Sequence, residues 1–461
     1  MPETRLTEAA LREKEAQYCS HGDTVHYSPI PKIFQSCEGT FLYDREGKPY
    51  LDLQMWYSAV NFGYHNTYIV DAVQAQLERL PQLACQYLHE EKILVAERLA
   101  IESGRAFGTN GRVQFNVGGS QAIEDSMKLV RNATGKSLFM AFMGGYHGRT
   151  LGASEITSSY RYRRRFGHFS NRAHFVPFPY CFRCPYGMKL ESCDYYCADQ
   201  VERLFETEFN SFWDAKAEES EFIAFYVEPV LGTGGYVVPP PDYFRRLKTI
   251  LDERKILLVD DEIQMGFFRT GKFWAIEHFG VTPNIVVFGK ALTNGLNPIS
   301  GVWAEESLIS PQAFPPGSTH STFSSNPLGT AAALATLEWI EQQDYERKVA
   351  ESGAYFLEQL EDLKKRHAVI GDVSGLGLAL RIEVTQADGF TPNKALTDRI
   401  FERGLAGGIP TSRGPMGLVL DVGGYYKNVF TLAPYLDIAR DEIDLAVELL
   451  DRLFTECAEQ P

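Results

Sequence analysis

Lys290 closes an apolar run, Asn284-Ile-Val-Val-Phe-Gly-Lys290, and stands 29 positions after Asp261, which follows the run Leu257-Leu-Val-Asp260. A lysine at the end of a buried strand presents a primary amine in a desolvated place. Such an amine can condense with an aldehyde to a Schiff base, and burial lowers its proton affinity so that it can also act as a base. A carboxylate ending a neighbouring strand can keep a proton on a heteroaromatic nitrogen, which turns that ring into an acceptor for carbanion electrons. Together, amine and acid are what a carbonyl-bearing nitrogen heterocycle requires of the protein that holds it.

For the two groups to meet, both runs must be strands of one sheet, with their carboxyl ends at one edge, where open α/β sheets bind ligands. The sequence predicts that setting. From about residue 68 short apolar runs alternate with helical patterns. Strands are expected at Arg112–Val117, Ser137–Phe142, Ala173–Phe178, Phe222–Val227, Ile256–Asp260 and Asn284–Phe288, and helices at Ser120–Thr134, Pro241–Glu253 and Asn326–Gln342. The runs lack clean alternation, as strands do when helices cover both faces of a mostly parallel sheet. The predicted fold class is therefore α/β, a large central domain with a smaller α+β domain built from both termini. The expected units are an N-terminal segment 1–67, a large domain 68–340 and a C-terminal part 341–461. At the front, residues 5–18 read as a short helix with Thr7 as its cap, and Gly39–Asp52 as a hairpin turning at Asp44-Arg-Glu-Gly47. At the far end, Ile443, Ala446, Val447, Leu450, Leu453 and Phe454 fall at helical spacing.

A chain of 461 residues, 44% apolar, can bury a large core, and its net charge of −15 repels polyanions such as nucleic acid. The one strong basic cluster, Arg161-Tyr-Arg-Arg-Arg165, reads as a solvated loop or a source of salt bridges. The polar start, Met1-Pro-Glu-Thr-Arg, has no secretory apolar stretch, and no run of 18 apolar residues occurs; a cytoplasmic protein without a membrane span is expected. Four of the eight cysteines cluster as Cys181-Phe-Arg-Cys184 and, after eight intervening residues, Cys193 and Cys197. This spacing fits either a zinc knuckle or a local loop with reduced thiols or one disulfide; no metal is assigned.

The words around the lysine and the acid carry more. Asp261-Glu-Ile-Gln-Met-Gly-Phe-Phe-Arg-Thr-Gly271 followed by Pro283-Asn-Ile-Val-Val-Phe-Gly-Lys290-Ala-Leu-Thr-Asn-Gly295 resembles the signature of class III pyridoxal phosphate aminotransferases. Gly118-Gly-Ser-Gln-Ala-Ile-Glu124, Tyr146-His-Gly148, Glu228-Pro-Val-Leu-Gly-Thr-Gly-Gly235 and Thr322-Phe-Ser-Ser-Asn-Pro327 match in the same order, so the resemblance covers about residues 40–455. It implies fold type I and pyridoxal 5'-phosphate, with Lys290 as the Schiff-base lysine and proton carrier. Asp261 then faces the ring nitrogen and Gln264 the phenolic oxygen. Gly119 and Ser120 open a helix after a strand, where free N–H groups and the dipole seat a phosphate. The Tyr146 ring can stack on the cofactor, and His147 either contacts the cofactor's surroundings or ties down its own loop. By the same resemblance, Thr322 offers its hydroxyl to the phosphate of a neighbouring subunit, which implies a homodimer with a shared active site.

The chain departs from the family pattern at one place. Many relatives that bind an α-carboxylate carry an arginine in a late motif; here the matching stretch is Asn428-Val-Phe-Thr431-Leu-Ala-Pro-Tyr435-Leu436. Threonine cannot form the bidentate clamp of a guanidinium. Either another arginine, such as Arg413, replaces it, or the substrate lacks a conventional α-carboxylate. Glu228, which can pair with that arginine in relatives, would then be free to meet a cation, such as a polyamine or amino sugar, or it pairs with another basic residue. Trp56 and Tyr57 either wall the substrate pocket or fill the small domain's core. The expected activity is transfer of an amino group from an amine donor to a carbonyl acceptor by a ping-pong mechanism. An amino-acid racemase or epimerase using the same lysine is the alternative within the family, and a catalytically silent scaffold the alternative of another class.

Overall fold

The computed structural model describes residues 6–22, 28–166, 173–210 and 212–458. Its centre is a seven-stranded sheet in the order Gly111–Asn116, Ser300–Glu305, Ile285–Phe288, Leu257–Asp261, Phe222–Val227, Leu138–Phe142, Ala173–Val176. The last five strands run parallel. All six expected strands are present within two residues of their predicted ends. The seventh, Ser300–Glu305, is new and lies antiparallel to both neighbours. Its sequence, Ser-Gly-Val-Trp-Ala-Glu, is short and polar at both ends and follows a loop-forming Asn-Gly-Leu-Asn-Pro stretch. Gly301 is required there, because a Cβ would overlap the Gln114 carbonyl oxygen.

Helices cover both faces. Gly119–Thr134 packs on one side, where Phe139, Ala141, Ala224, Tyr226, Val259, Ile285, Val287 and Val302 form a core. Tyr243–Glu253 lies on the other, over Met140, Phe142, Phe225, Val227 and Leu258. Adjacent residues of one strand thus feed opposite cores, which is the period of two at work, and all six residues of Phe222–Val227 are buried. The Phe142 ring, 1% exposed, lies 4.9 Å from that of Phe178 and 4.8 Å from that of Phe225. Helix Pro327–Glu341 starts where the sequence says it should: Asn326 accepts from the Gly329 N–H at 2.9 Å, and proline takes the first turn.

Two smaller sheets complete the fold. In one, Phe34–Glu38, Phe41–Asp44 and Pro49–Asp52 form the expected hairpin region, and Gly417–Val419 adds in parallel to Pro49–Asp52. In the other, Ile370–Leu376, Ala379–Val384, Val429–Leu432 and Asp421–Gly423 pair antiparallel. The chain passes from one to the other across Leu420, so main-chain hydrogen bonds tie the N-terminal segment to the C-terminal part. The predicted N-terminal helix spans Glu8–Tyr18 with the Thr7 hydroxyl accepting from Ala10 at 3.2 Å; position 5 lies outside the described residues. Among the described residues no helix is long and apolar enough to cross a membrane.

All eight cysteines are free. Cys181, Cys184, Cys193 and Cys197 line one tight cavity of about 20 Å³ with Tyr180, Tyr186 and Met188. Burial pushes the Cys181 thiol up to about 11 and that of Cys197 to about 12. Among the described residues no group of three or more His, Cys, Asp or Glu is arranged to hold a metal ion. In the basic run, the Arg163 guanidinium lies over the Phe175 ring at 5.0 Å.

Candidate active site

Lys290 and Asp261 come together as their spacing requires. Asp261 ends its strand and pairs in register with Val287, and the Glu262 N–H donates to the Val287 carbonyl at 2.8 Å. Adjacent strands are about 4.8 Å apart, so the 26 positions from Asp261 to Val287 close into a single strand spacing, and Lys290 follows three residues on. After Phe288 the chain turns at Gly289, and Lys290 takes φ +42°, left-handed for a residue with a Cβ. That conformation costs roughly 1–2 kcal/mol and aims the side chain into a cavity rather than along the strand. The amine makes no hydrogen bond or ion pair among the described residues. Burial lowers its proton affinity, which Asp261, Glu228 and Asp421 partly restore by charge.

Asp261 is oriented from behind. His147 Nδ1 lies 2.8 Å from Asp261 Oδ2, both side chains are buried, and the His147 N–H donates to the Thr157 hydroxyl at 2.9 Å. Burial alone would lower the His147 imidazole, but the hydrogen bond to Asp261 and its charge outweigh it, and the net direction is up. The sequence left His147 between a contact near the ring and a loop anchor; it is the positioning partner of Asp261. Period two sends Asp260 and Glu262 to the opposite face, where both are buried. Glu262 accepts from the Ile276 N–H at 2.8 Å.

Gly119 and Ser120, where a phosphate seat is expected, stand at a helix start. Helix Gly119–Thr134 opens there, and its first amides have no carbonyl partner within the helix. A Cβ on Gly119 would lie 2.7 Å from Ile263 Cδ1, and one on Gly148, where φ is +119°, would overlap the Ser120 side chain. The Ser120 hydroxyl accepts from the Arg149 N–H at 3.1 Å, which pins the Tyr146-His-Gly-Arg loop over the helix start. Tyr146 donates its N–H to Glu228 Oε1 at 2.8 Å, and its ring lies 5.2 Å from that of Tyr162.

A cavity of about 470 Å³ opens at Lys290 and Tyr146, bounded also by Gln264, Trp56, Tyr57 and Asp421 among others. Its size suits a small cofactor and substrate together. The Gln264 amide donates to the Tyr236 hydroxyl at 2.9 Å, which lies 3.4 Å from the Ser58 hydroxyl. Trp56 and Tyr57 wall the cavity from Met55–Ser58, a turn with φ between +42° and +63° at all four residues. Buried Asp52 holds that turn, accepting from the N–H groups of Gln54 at 2.7 Å and Met55 at 3.0 Å.

Three candidates lie elsewhere. Glu228 is 5% exposed and spends its carboxylate on the Tyr146 N–H and, at 3.0 Å, the Gly232 N–H, so it sits behind Gly232 rather than in the open cavity. Burial pushes its carboxyl up to about 7, with His147 opposing and Asp261 assisting. Arg413 is at the surface, paired with Asp441, and does not replace the missing arginine. Thr322 is exposed beside a separate cavity of about 690 Å³ lined also by Val117, Asn297 and Phe323. Among the charged and aromatic wall residues, the sequence pointed to no role for four: Arg149, Tyr162, Asp421 and Lys427. Arg149 directly follows the Tyr146-His-Gly motif and could have been found there; the other three are brought in by the tertiary fold alone.

The fold and the site together define a fold type I pyridoxal phosphate enzyme: a half-buried lysine beyond a parallel strand, a buried acid one strand away, and a helix-terminal anion seat a side chain would fill. Comparison with known proteins agrees. The family model for class-III aminotransferases matches residues 24–454, and the chain belongs to that family. Similar proteins include a leucine/methionine racemase of Thermococcus litoralis, 32% identical over 97% of this chain and 95% of that one. An ornithine aminotransferase of Saccharomyces cerevisiae is 31% identical over 85% and 88%. A pyridoxal-phosphate-bound amine transaminase from an uncultivated Pseudomonas species superposes with a TM-score of 0.84, at 27% identity over 95% of this chain and 99% of that one. Pyridoxal 5'-phosphate is the cofactor, and the chain is an aminotransferase-class enzyme, not a silent scaffold.

Proposed function

We propose that this enzyme moves an amino group between an amine donor and a carbonyl acceptor in two half-reactions at one site. The observation that carries this reading is the Lys290 amine, unpartnered among the described residues, in the same cavity as Gln264 and one strand from the His147–Asp261 pair. When bound, pyridoxal phosphate supplies an aldehyde that condenses with amines and a protonated ring that accepts the electron pair released at Cα.

The chain's own residues do the rest. Lys290 holds the cofactor at rest. Once substrate has taken its place, the freed amine, its proton affinity lowered by burial, would take the Cα proton and return it to the former aldehyde carbon, on the other side of the shared nitrogen. Asp261, fixed by His147, would hold the ring nitrogen. The amides of Gly119 and Ser120 and the Ser120 hydroxyl would hold the phosphate, Tyr146 would flank the ring, and the Gln264 amide would serve its phenolic oxygen. Trp56 and Tyr57 shut out water. Thr322, exposed on its own subunit, donates to the phosphate of a second copy, so the working form is a homodimer. We also place the enzyme in the cytoplasm and divide the chain at about 67 and 340, a division the sheet topology supports.

Lys290→Ala tests the reading directly. Wild type should be coloured by its cofactor, borohydride should fix that cofactor to Lys290, and an amine donor alone should convert it to the amine form. A colourless wild type, or label on another residue, overturns it. A second reading, racemisation, is favoured by the 32% likeness to the leucine/methionine racemase. It predicts solvent deuterium at Cα of recovered substrate with no carbonyl product, whereas transamination predicts that product.

A further inference from the structure

Asp421 is the one carboxylate among the described wall residues of the cavity that holds Lys290. It begins strand Asp421–Gly423 and pairs in register with Thr431, the residue that stands where many relatives carry an arginine. The Thr431 hydroxyl donates to Asp421 Oδ2 at 2.6 Å. Thr431 is the one side chain that donates to it, and no cation approaches Asp421 closely enough for an ion pair among the described residues. Lys427 and Lys290 act on it only through longer-range charge.

A half-buried acid without a counter-ion is costly, and proteins hold one in a ligand cavity where a ligand supplies the missing charge. We propose that Asp421, oriented by Thr431, binds a second ammonium group of the amine substrate, so that the enzyme prefers diamines and polyamines to simple monoamines. This rests on the transamination reading above and names the substrate class for that same site. The usual polarity is reversed at this wall: an acid braced by a hydroxyl lies where a guanidinium would face a carboxylate. Glu228, the acid the sequence favoured for this role, is already engaged by two backbone N–H groups. The aromatic faces of Trp56, Tyr57 and Tyr162 along the same cavity suit the methylene chain between two ammonium groups and can also face a cation. Arg149 and Lys427, on the same cavity, are the groups that would meet an anionic carbonyl acceptor in the other half-reaction.

The test uses the cofactor-loaded enzyme with 1,4-diaminobutane and n-butylamine as donors. Wild type should show a kcat/KM at least tenfold higher for the diamine, and Asp421→Asn should bring that ratio down at least tenfold. Thr431→Val, which keeps the acid but frees its orientation, should lower the ratio less. Calorimetric binding of 1,4-diaminobutane should weaken in Asp421→Asn by a similar factor, and this reads the site even if turnover fails. A ratio near one in wild type, or a ratio and diamine affinity unmoved by Asp421→Asn, overturns the proposal. Conversion of neither amine, with diamine binding still dependent on Asp421, overturns the transamination reading and leaves the ammonium site standing.

Discussion

Glu228→Gln makes the electrostatics of the site measurable. In the folded cofactor-free protein the Glu228 carboxyl is raised from 4.5 to about 7, first by burial. At about 1.4 kcal/mol for each tenfold change in proton activity, that displacement corresponds to roughly 3 kcal/mol. The folded state holds this proton through a range in which the unfolded chain has released it. The free energy of unfolding therefore falls as pH rises from about 4.5 to about 7, and is flat in this respect outside that window. Glutamine has no proton to lose. It can also accept from only one of the two N–H donors of Tyr146 and Gly232 with its carbonyl oxygen, which leaves the other facing an amide nitrogen at a cost of about 1–3 kcal/mol. Urea unfolding of both proteins at pH 5, 6, 7 and 8 should show the variant less stable at pH 5. The gap should close by roughly 3 kcal/mol by pH 8. Parallel curves, or a gap that widens with pH, would refute the assignment of a neutral buried carboxyl to this position.

Gly148→Ala should cost at least tenfold in pyridoxal phosphate affinity by absorbance titration, because its Cβ would overlap the Ser120 side chain at a φ of +119°. Gly119→Ala, whose Cβ meets the movable end of Ile263, should lose less and recover when combined with Ile263→Val. Arg381→Met should destabilise by about 3 kcal/mol in thermal unfolding, since buried Glu383 also bonds Tyr180 and Asn428 and would lose its most buried counter-ion. Asp260 lies buried beside Glu262, and burial and the neighbouring carboxyls raise it well above its ordinary value. Its folded state thus retains a proton after the unfolded chain has released it, stability declines as pH rises past the ordinary carboxylate range, and Asp260→Asn should flatten that decline in unfolding measured from about pH 4 upward.

The chemistry was readable in sequence because it is local. Lys290 and Asp261 each end an apolar run whose length and composition announce a buried strand, and Gly118-Gly-Ser120 announces a helix start. Each signal depends on fewer than ten neighbours. The substrate wall is different. Asp421 and Lys427 lie in a Gly-rich stretch with no periodicity of its own, and they reach the cavity only because Asp421 pairs with Thr431 across a sheet edge. The missed strand Ser300–Glu305 failed for a related reason, since its partners Gly111–Asn116 and Ile285–Phe288, rather than its own residues, make it a strand. Thr431 shows the intermediate case: its position in a motif revealed what was absent, but only the pairing revealed which residue its hydroxyl serves.

Chemistry and selectivity therefore ride on different sheets. The central sheet fixes Lys290 and Asp261 through parallel pairing of Leu257–Asp261 with Ile285–Phe288, a register that cannot slip without exposing a buried face. Asp421 belongs to a separate antiparallel sheet and touches the chemistry only across the cavity. A change at Asp421 or Thr431 leaves the hydrogen bonds of His147 and Asp261 and the strain at Lys290 as they are. Its main effect is on which charge the substrate must bring to that wall, although Asp421 also supports the proton affinity of Lys290 by charge. Replacing arginine by threonine at such a position, with an acid across the strand pair, reverses the electrostatic preference of the wall while the groups that move the proton at Cα keep their places.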